Sequence, residues 1–307
     1  MKSIVSDWNG TIYKEVDETK TYKGIALAYR NRLIRKVIHL NPIAAGKLVK
    51  LLIDKKEIEK AKSEYDNGKR KLEEVYKEFN ERIVSKLDSS SIMKAVYDIS
   101  TENKNKVDKR LLESFKEIRK LRKIQVGILS VAYETAIFCT LLETDYQEVF
   151  YYPKITDPDV LRRVKEKELT EEDALERYGE GASEYHIIGD KLIDKNGKDV
   201  DESPYAKHEG PLKFALRTYR KKGIFLEDEF ARKRGYSQIT YFGDTEDDIS
   251  CFDYVTSNRG RVVLPFFLIE RAVNDVKSRE FLRKATEKYN AFVPKDEADL
   301  KNFLDKD

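Results

Sequence analysis

The stretch IVSDWNGTI, Ile4 to Ile12, holds the first residues that could do chemistry: an acid at position 7, an amide at position 9, then Gly10 and Thr11. An apolar, β-branched run ending in an acid and turning through Asn-Gly suggests a carboxylate held at the C-terminal edge of a sheet. The same letters also fit a β-hairpin, because Asn-Gly favours a two-residue turn. Partners elsewhere in the chain must decide. IQVGILS is a second apolar run, and it ends in Ser130; QITYFGDTEDD is a third, ending in Asp244 and followed by Asp247 and Asp248. Lys207, in YAKHEGPLKFAL, adds a cation at an expected helix start. Ligands of open parallel α/β sheets bind beyond the C-terminal ends of the strands. An acid, a hydroxyl, a cation and an acidic cluster at such an edge suit phosphoryl transfer. The carboxylates would hold Mg²⁺, and the cation and hydroxyl would hold phosphate oxygens.

Each of these residues also has a plainer reading. Asp7 could cap a turn, Ser130 the helix that follows it, and Lys207 could be one more surface lysine. The TEDD cluster could be an acidic helix N-terminus favoured by the dipole. That explains Asp247 well and Asp244 poorly, since Asp244 ends a strand.

The elements that must position these residues follow from periodicity. From Tyr13 to about Val107 the chain reads as helical. Thr21 to Leu40 and Pro42 to Ile53 carry apolar residues at helical spacing, with Pro42 acceptable near a helix start. Asp54 to Leu87 mixes Lys and Glu at three- and four-residue spacings. It predicts a solvated helical hairpin or a long helix, broken or capped at Asn67-Gly68. Asp88 to Ile99 offers Ser and Asp caps for a short helix. After Val107 the pattern alternates. A helix over 107–123 precedes a buried strand over 124–131, a helix over 132–143 and a strand over 148–152. Then come a charged helix over 157–179, a hairpin over 185–200 and a helix over 209–223 with a Gly stop. A strand over 237–244, a short helix over 249–255 and a strand over 259–266 follow. Alternation of this kind implies an α/β fold, a Rossmann-like parallel sheet with helices on both faces. The expected core is residues 1–13 and 107–307, with residues 14–106 a helical cap inserted after the first strand.

Composition narrows the function classes. The chain has 307 residues, enough for a large core, and a net charge of only +3, so no global basic field points to nucleic acid. Charged residues make up 37% of the chain, a density that suits a protein from a hot environment. Cys139 and Cys251 lack metal-ligand spacing and read as reduced thiols of a cytoplasmic protein. His39, His186 and His208 are too scattered for a zinc motif. Met1 opens almost directly onto a strand, which leaves no room for a signal peptide, and no apolar run is long enough to span a bilayer.

The four pieces, in order, resemble the haloacid dehalogenase superfamily, and within it the phosphoserine-phosphatase-like branch. DWNGT is similar to the first motif of that superfamily, normally Asp-x-Asp-x-Thr. ILS is similar to the second, AKHEGPLKFA to the third, and GDTEDDISCF to the fourth. The resemblance implies that Asp7 is a nucleophile passing through an aspartyl phosphate. It implies that Asp7, Asp244 and the Asn9 carbonyl ligate Mg²⁺, and that Asp248 holds a water of the metal. Ser130 and Lys207 would hold the phosphate, with Lys213 a second choice for the lysine and His208 a neighbour that could reach substrate. Gly10 and Thr11 would shape the loop and supply backbone donors, and Asp247 would contact substrate where the branch often has Asn. Asn9 is the departure. The family's second acid protonates the leaving group and then activates water, and an amide cannot do either. Loss of such a group typically lowers the rate by about 10²–10⁴-fold. The expectation is therefore a Mg²⁺-dependent phosphatase of a small phosphorylated molecule with impaired proton transfer. The alternative is a weakly active or inactive relative that binds a phosphorylated ligand or partner.

Overall fold

The computed structural model of the chain describes residues 2–14, 30, 56–61, 63–64, 69–87, 89–122, 124–153, 158–166, 168, 183–200 and 211–305. The helices expected over 21–40 and 42–53 lie outside these residues, Arg30 excepted, as do Asn67, Gly68, Lys207 and His208. No helix among the described residues is long and apolar enough to cross a membrane.

The fold is α/β. Its main sheet has six strands in the order β6-β5-β2-β1-β7-β8. These are β1 (Ser3–Ser6), β2 (Gln125–Tyr133), β5 (Ile187–Ile193), β6 (Lys213–Ala215), β7 (Ile239–Phe242) and β8 (Arg261–Val263). All pair in parallel except β6, which runs antiparallel to β5 at the edge. A separate antiparallel pair joins β3 (Tyr151–Pro153) to β4 (Ser183–Tyr185). β1 lies near the centre, with Ser3–Ser6 facing Gln125–Ile128 on one side and Ile239–Phe242 on the other.

Side chains of β1 alternate between two cores, as a two-residue period requires. Ile4 joins Val126 and Ile128 under helices α3 (Lys109–Arg122), α4 (Glu134–Glu143) and α10 (Glu297–Asp305). Val5 joins Leu129, Ile239 and Tyr241 on the opposite face, under α7 (Ile249–Ser257) and α9 (Val276–Tyr289). On that face, the short helix α6 (Lys222–Phe225) continues as a π-helical stretch, Leu226–Arg232, that buries Leu226 and Phe230. Helix α8 (Phe266–Ala272) follows β8.

The segment after β1 leaves and re-enters at one place. Tyr13 bridges Val107, the Lys14 N–H donates to the Lys106 carbonyl at 2.9 Å, and the Asp108 N–H donates to the Ile12 carbonyl at 2.7 Å. Within it, α1 (Leu72–Arg82) and α2 (Ser89–Asn103) form a third core with Val131, Tyr133, Leu192 and Phe214. One face of α1 buries Val75, Tyr76 and Phe79, so this helix is not solvated all round as its even Lys/Glu mixture suggested. The Asn80 amide completes the open edge at β6: its Nδ2 donates to the Phe214 carbonyl at 2.9 Å, and its Oδ1 accepts the Phe214 N–H at 2.8 Å.

Three expected elements differ. The helix over 209–223 is instead β6, a turn and the start of α6, because Leu212 and Phe214 are buried with Lys213 exposed between them, a strand's period. The strand from Ile124 does not stop at Ser130 but runs to Tyr133, with its register to β5 broken between Leu129 and Tyr133. The strand expected over 148–152 begins as a 3₁₀ turn, Gln147–Phe150, before β3. Of the charged helix over 157–179, the described part is α5 (Pro158–Lys165). The hairpin expected over 185–200 is present as β5, a turn at Asp194–Lys198 and a bridge from Ile193 to Asp199.

Candidate functional site

Asp7 stands one residue past β1, and its N–H donates to the Phe242 carbonyl at 2.8 Å, so it is fixed against the end of β7. The chain then turns tightly: the N–H groups of Ile12 and Tyr13 both donate to the Trp8 carbonyl, at 3.0 and 2.8 Å. Gly10 has φ +74°, and a Cβ there would lie 2.0 Å from Asp244 Oδ2. Glycine is thus required twice, by conformation and by contact. The Gly10 and Thr11 N–H groups are engaged inside the turn, with Tyr13 and Trp8 carbonyls, so this geometry does not offer them to a phosphate as expected. Thr11 acts through its hydroxyl, which donates to Asp244 Oδ1 at 3.0 Å.

The end of β7 brings the other acids. Asp244 and Asp248 are buried, and one carboxylate oxygen from each of Asp7, Asp244 and Asp248 lies within 4.8 Å of the others. Asp248 is saturated. Its Oδ2 accepts the Asp244 and Thr245 N–H groups at 3.0 and 3.2 Å, and its Oδ1 accepts the Tyr241 hydroxyl at 2.9 Å. The close approach of Asp248 to the strand end depends on Gly243, where a Cβ would sit 2.7 Å from the Asp248 Cβ. Asp247 is only half-buried at the rim, and burial raises its pKa from the ordinary carboxylate value. Asn9 is buried at the turn between Asp7 and Gly10.

Among the described residues, the lysine that meets the acids is Lys222, which sequence reasoning did not single out. Lys222, 1% exposed, donates to Asp248 Oδ1 at 2.7 Å and pairs with Asp7 Oδ2 at 2.9 Å. Lys207 lies outside the described residues, and Lys213 is exposed on β6. The available signal was Gly223 directly after Lys222. The Gly223 N–H donates to Ser250 Oγ at 3.1 Å, and a Cβ there would meet the Ser250 carbonyl oxygen at 2.7 Å. Only glycine lets α6 sit this close to α7 and push Lys222 into the acids.

Ser130 lies two residues beyond Ile128, the partner of Ser6, and so at the same end of the sheet. It is buried, its Oγ accepts the Ala132 N–H at 3.3 Å, and its carbonyl accepts the Thr218 hydroxyl at 2.7 Å. It does not cap α4, whose N-cap is Tyr133. Asp190 of β5 steadies the same loop, its Oδ1 accepting the Arg217 N–H at 2.9 Å. The end of β2 and the segment leading to Lys222 are thereby tied together.

Charge in the cluster is unbalanced. Among the described residues three acids meet two cations, Lys222 and Arg271, the latter donating to Asp244 Oδ2 at 2.6 Å. Burial raises the Asp7 pKa most; Lys222 lowers it, and the Asp248 and Asp244 charges raise it again. Burial also raises Asp244, offset in part by Arg271. For Lys222, burial alone would lower the pKa, but Asp248 and Asp7 outweigh it and hold the ammonium well above its usual value. A buried, oxygen-only cluster in which the acids outnumber the cations among the described residues fits a hard divalent cation such as Mg²⁺.

No protein-family model and no curated protein sequence matches the chain. Solved structures do resemble it. A protein with unknown function from Bordetella pertussis Tohama I aligns with 95% of this chain and 97% of its own, at 8% identity and a TM-score of 0.51. Cytosolic 5'-nucleotidase IIIB bound to cytidine aligns over 99% of this chain and 85% of its own, at 13% identity and a TM-score of 0.47. A phosphoserine phosphohydrolase-like protein from Francisella tularensis subsp. tularensis SCHU S4 aligns over 99% of both chains, at 11% identity and a TM-score of 0.45. At such identities the likeness is one of fold.

Proposed function

We propose that the chain is a Mg²⁺-dependent phosphohydrolase of the haloacid dehalogenase type, acting on a small phosphorylated molecule. The observation that carries this reading is the contact of Asp7 with the buried Lys222 at 2.9 Å, beside two further buried acids at one sheet edge. Asp7 attacks phosphorus through a carboxylate oxygen; that P–O bond forms as the bond to the leaving oxygen breaks. Water then attacks the aspartyl phosphate, releasing phosphate and restoring Asp7. Lys222 holds Asp7 in place and offsets the charge that the phosphoryl group brings. Asp7, Asp244 and the Asn9 carbonyl would hold the metal, with Asp248 behind them, and the ion would supply charge neutralisation at the phosphoryl oxygens. Asp248 suits a supporting position because its oxygens already accept from Lys222, Tyr241, Asp244 and Thr245.

Asn9 moves no proton, so the leaving group departs with its own charge or is protonated by solvent. Aryl and acyl phosphates therefore react better than alkyl phosphates, and the aspartyl phosphate is long-lived. Residues 14–106 act as the cap, leaving and returning at the bridge between Tyr13 and Val107. The amide also favours a second reading, a weakly active or inactive protein that binds a phosphorylated ligand. Hydrolysis of p-nitrophenyl phosphate, with and without Mg²⁺, separates the two. Mg²⁺-dependent turnover lost in Asp7→Asn supports the enzyme. A silent native chain that gains activity in Asn9→Asp supports the binding protein. Intact mass must exclude deamidation of Asn9-Gly10 in each sample.

A further inference from the structure

Arg271 has no role in the chemistry set out above, yet it touches the centre of the site. It lies near the end of α8, whose Phe266, Phe267, Leu268 and Ala272 are buried in the core. Its Nη2 donates to Asp244 Oδ2 at 2.6 Å. Its Nη1 lies 2.7 Å from the point that a Cβ on Gly10 would occupy, so the guanidinium lies alongside the loop that carries Asp7. Nε and Nη1 are both buried and have no hydrogen-bond partner among the described residues. A buried charged donor without an acceptor is costly, and such groups are rare in folded proteins. The side chain as a whole is 24% exposed, which leaves it open to a ligand entering at the sheet edge.

We propose that Arg271 is an oxyanion-binding residue of this site. Held by Nη2 on Asp244, it turns its buried Nη1–H to an oxygen of the phosphoryl group as that group enters. The inference rests on the phosphohydrolase reading and deepens it. With Asn9 unable to deliver a proton, a fixed positive charge beside the phosphoryl oxygens stabilises negative charge without any proton transfer. Arginine suits this role because its planar, always-charged fork can hold a carboxylate with one nitrogen and an oxyanion with another.

The test is titration calorimetry of the full chain with inorganic phosphate in the presence of Mg²⁺, for the native protein, Arg271→Gln and Arg271→Lys. Mn²⁺ affinity, read by electron paramagnetic resonance, and the thermal midpoint are measured beside it. The expected result is a loss of phosphate affinity of roughly 10–100-fold in both variants, the range of a charged hydrogen bond, with Mn²⁺ affinity held or raised, since Asp244 loses a competing cation in the glutamine variant. The lysine variant keeps a charge near Asp244, so it carries the comparison if the glutamine variant does not fold. Native-like phosphate binding in either folded variant overturns the proposal. So does a parallel fall in Mn²⁺ affinity, which would mean that Arg271 acts only by shaping Asp244. A native chain that binds Mg²⁺ but no phosphate overturns the phosphohydrolase reading itself, and this inference with it.

Discussion

Replacing Lys222 with Met removes an ammonium but keeps an unbranched side chain of similar length. Lys222 is 1% exposed and meets Asp7 at 2.9 Å and Asp248 at 2.7 Å. At an effective dielectric constant of about 20, each contact contributes about 6 kcal/mol of Coulomb attraction. Desolvation of the ammonium offsets several kcal/mol of that sum. Breaking a buried pair from one side typically destabilises by about 3–5 kcal/mol, because the remaining charge is left uncompensated. In Lys222→Met the three acids keep only Arg271. The variant therefore relaxes by protonating Asp7, whose pKa burial already raises. A carboxyl with a folded-state pKa above its unfolded value stabilises below the unfolded pKa, and that stability is lost as pH rises through the folded pKa. The deficit should thus be about 3–5 kcal/mol near neutral pH and shrink towards pH 5. Urea unfolding of native and variant chains, without divalent cations and over that pH range, measures it. A loss below about 1 kcal/mol at neutral pH, or one that does not depend on pH, would refute the buried-pair argument.

Other parts of the structure give shorter tests. Gly10→Ala should destabilise the chain by about 2 kcal/mol or more and weaken Mn²⁺ binding, since φ is +74° and the new Cβ would overlap Asp244 Oδ2; urea unfolding and Mn²⁺ titration check both. His186, stacked on Tyr152 and bonded to the Tyr236 hydroxyl at 2.7 Å, is pushed down to about 3 by burial, with Arg234 and Arg119 adding to the effect. Its neutral form is favoured on folding, so stability should fall as pH drops from about 6.5 towards 3, by at most about 1.4 kcal/mol per unit, and His186→Gln should flatten that slope in acid urea titrations. Asn80→Ala removes both hydrogen bonds to Phe214 and should cost about 2 kcal/mol. Hydrogen exchange at Phe214 should rise with it.

The chemistry-bearing ends of β1 and β7 were legible in sequence because short apolar runs there stop at an acid, and the sheet then brings Asp7 and Asp244 together. Alternation of strands and helices also gave the parallel sheet. The helix expected over 209–223 went astray because Leu212, Leu216 and Tyr219 fall at helical spacing while Leu212, Phe214 and Leu216 fall at a strand's, and packing against β5 and α1 selects β6. Lys222 was hidden for the same reason. Among 59 Lys and Arg residues, Lys222 is marked by the Gly223 beside it and not by any periodicity. Ser130 was placed at the correct sheet end, but its hydrogen bonds depend on the broken register of β2, which is a property of pairing rather than of composition. Arg271 carried no sequence signal, since its partner Asp244 is 27 residues away.

If Asp7 is the phosphoryl acceptor, it carries that group covalently during each turnover. Acid quenching of the native chain during reaction with p-nitrophenyl phosphate and Mg²⁺, followed by peptide mass mapping, tests it most directly. One phosphoryl group is expected on the peptide that carries Asp7, accumulating because Asn9 activates no water, and none in Asp7→Asn. Mg²⁺-dependent turnover that persists in Asp7→Asn, or a phosphoryl group trapped on another residue, would contradict it.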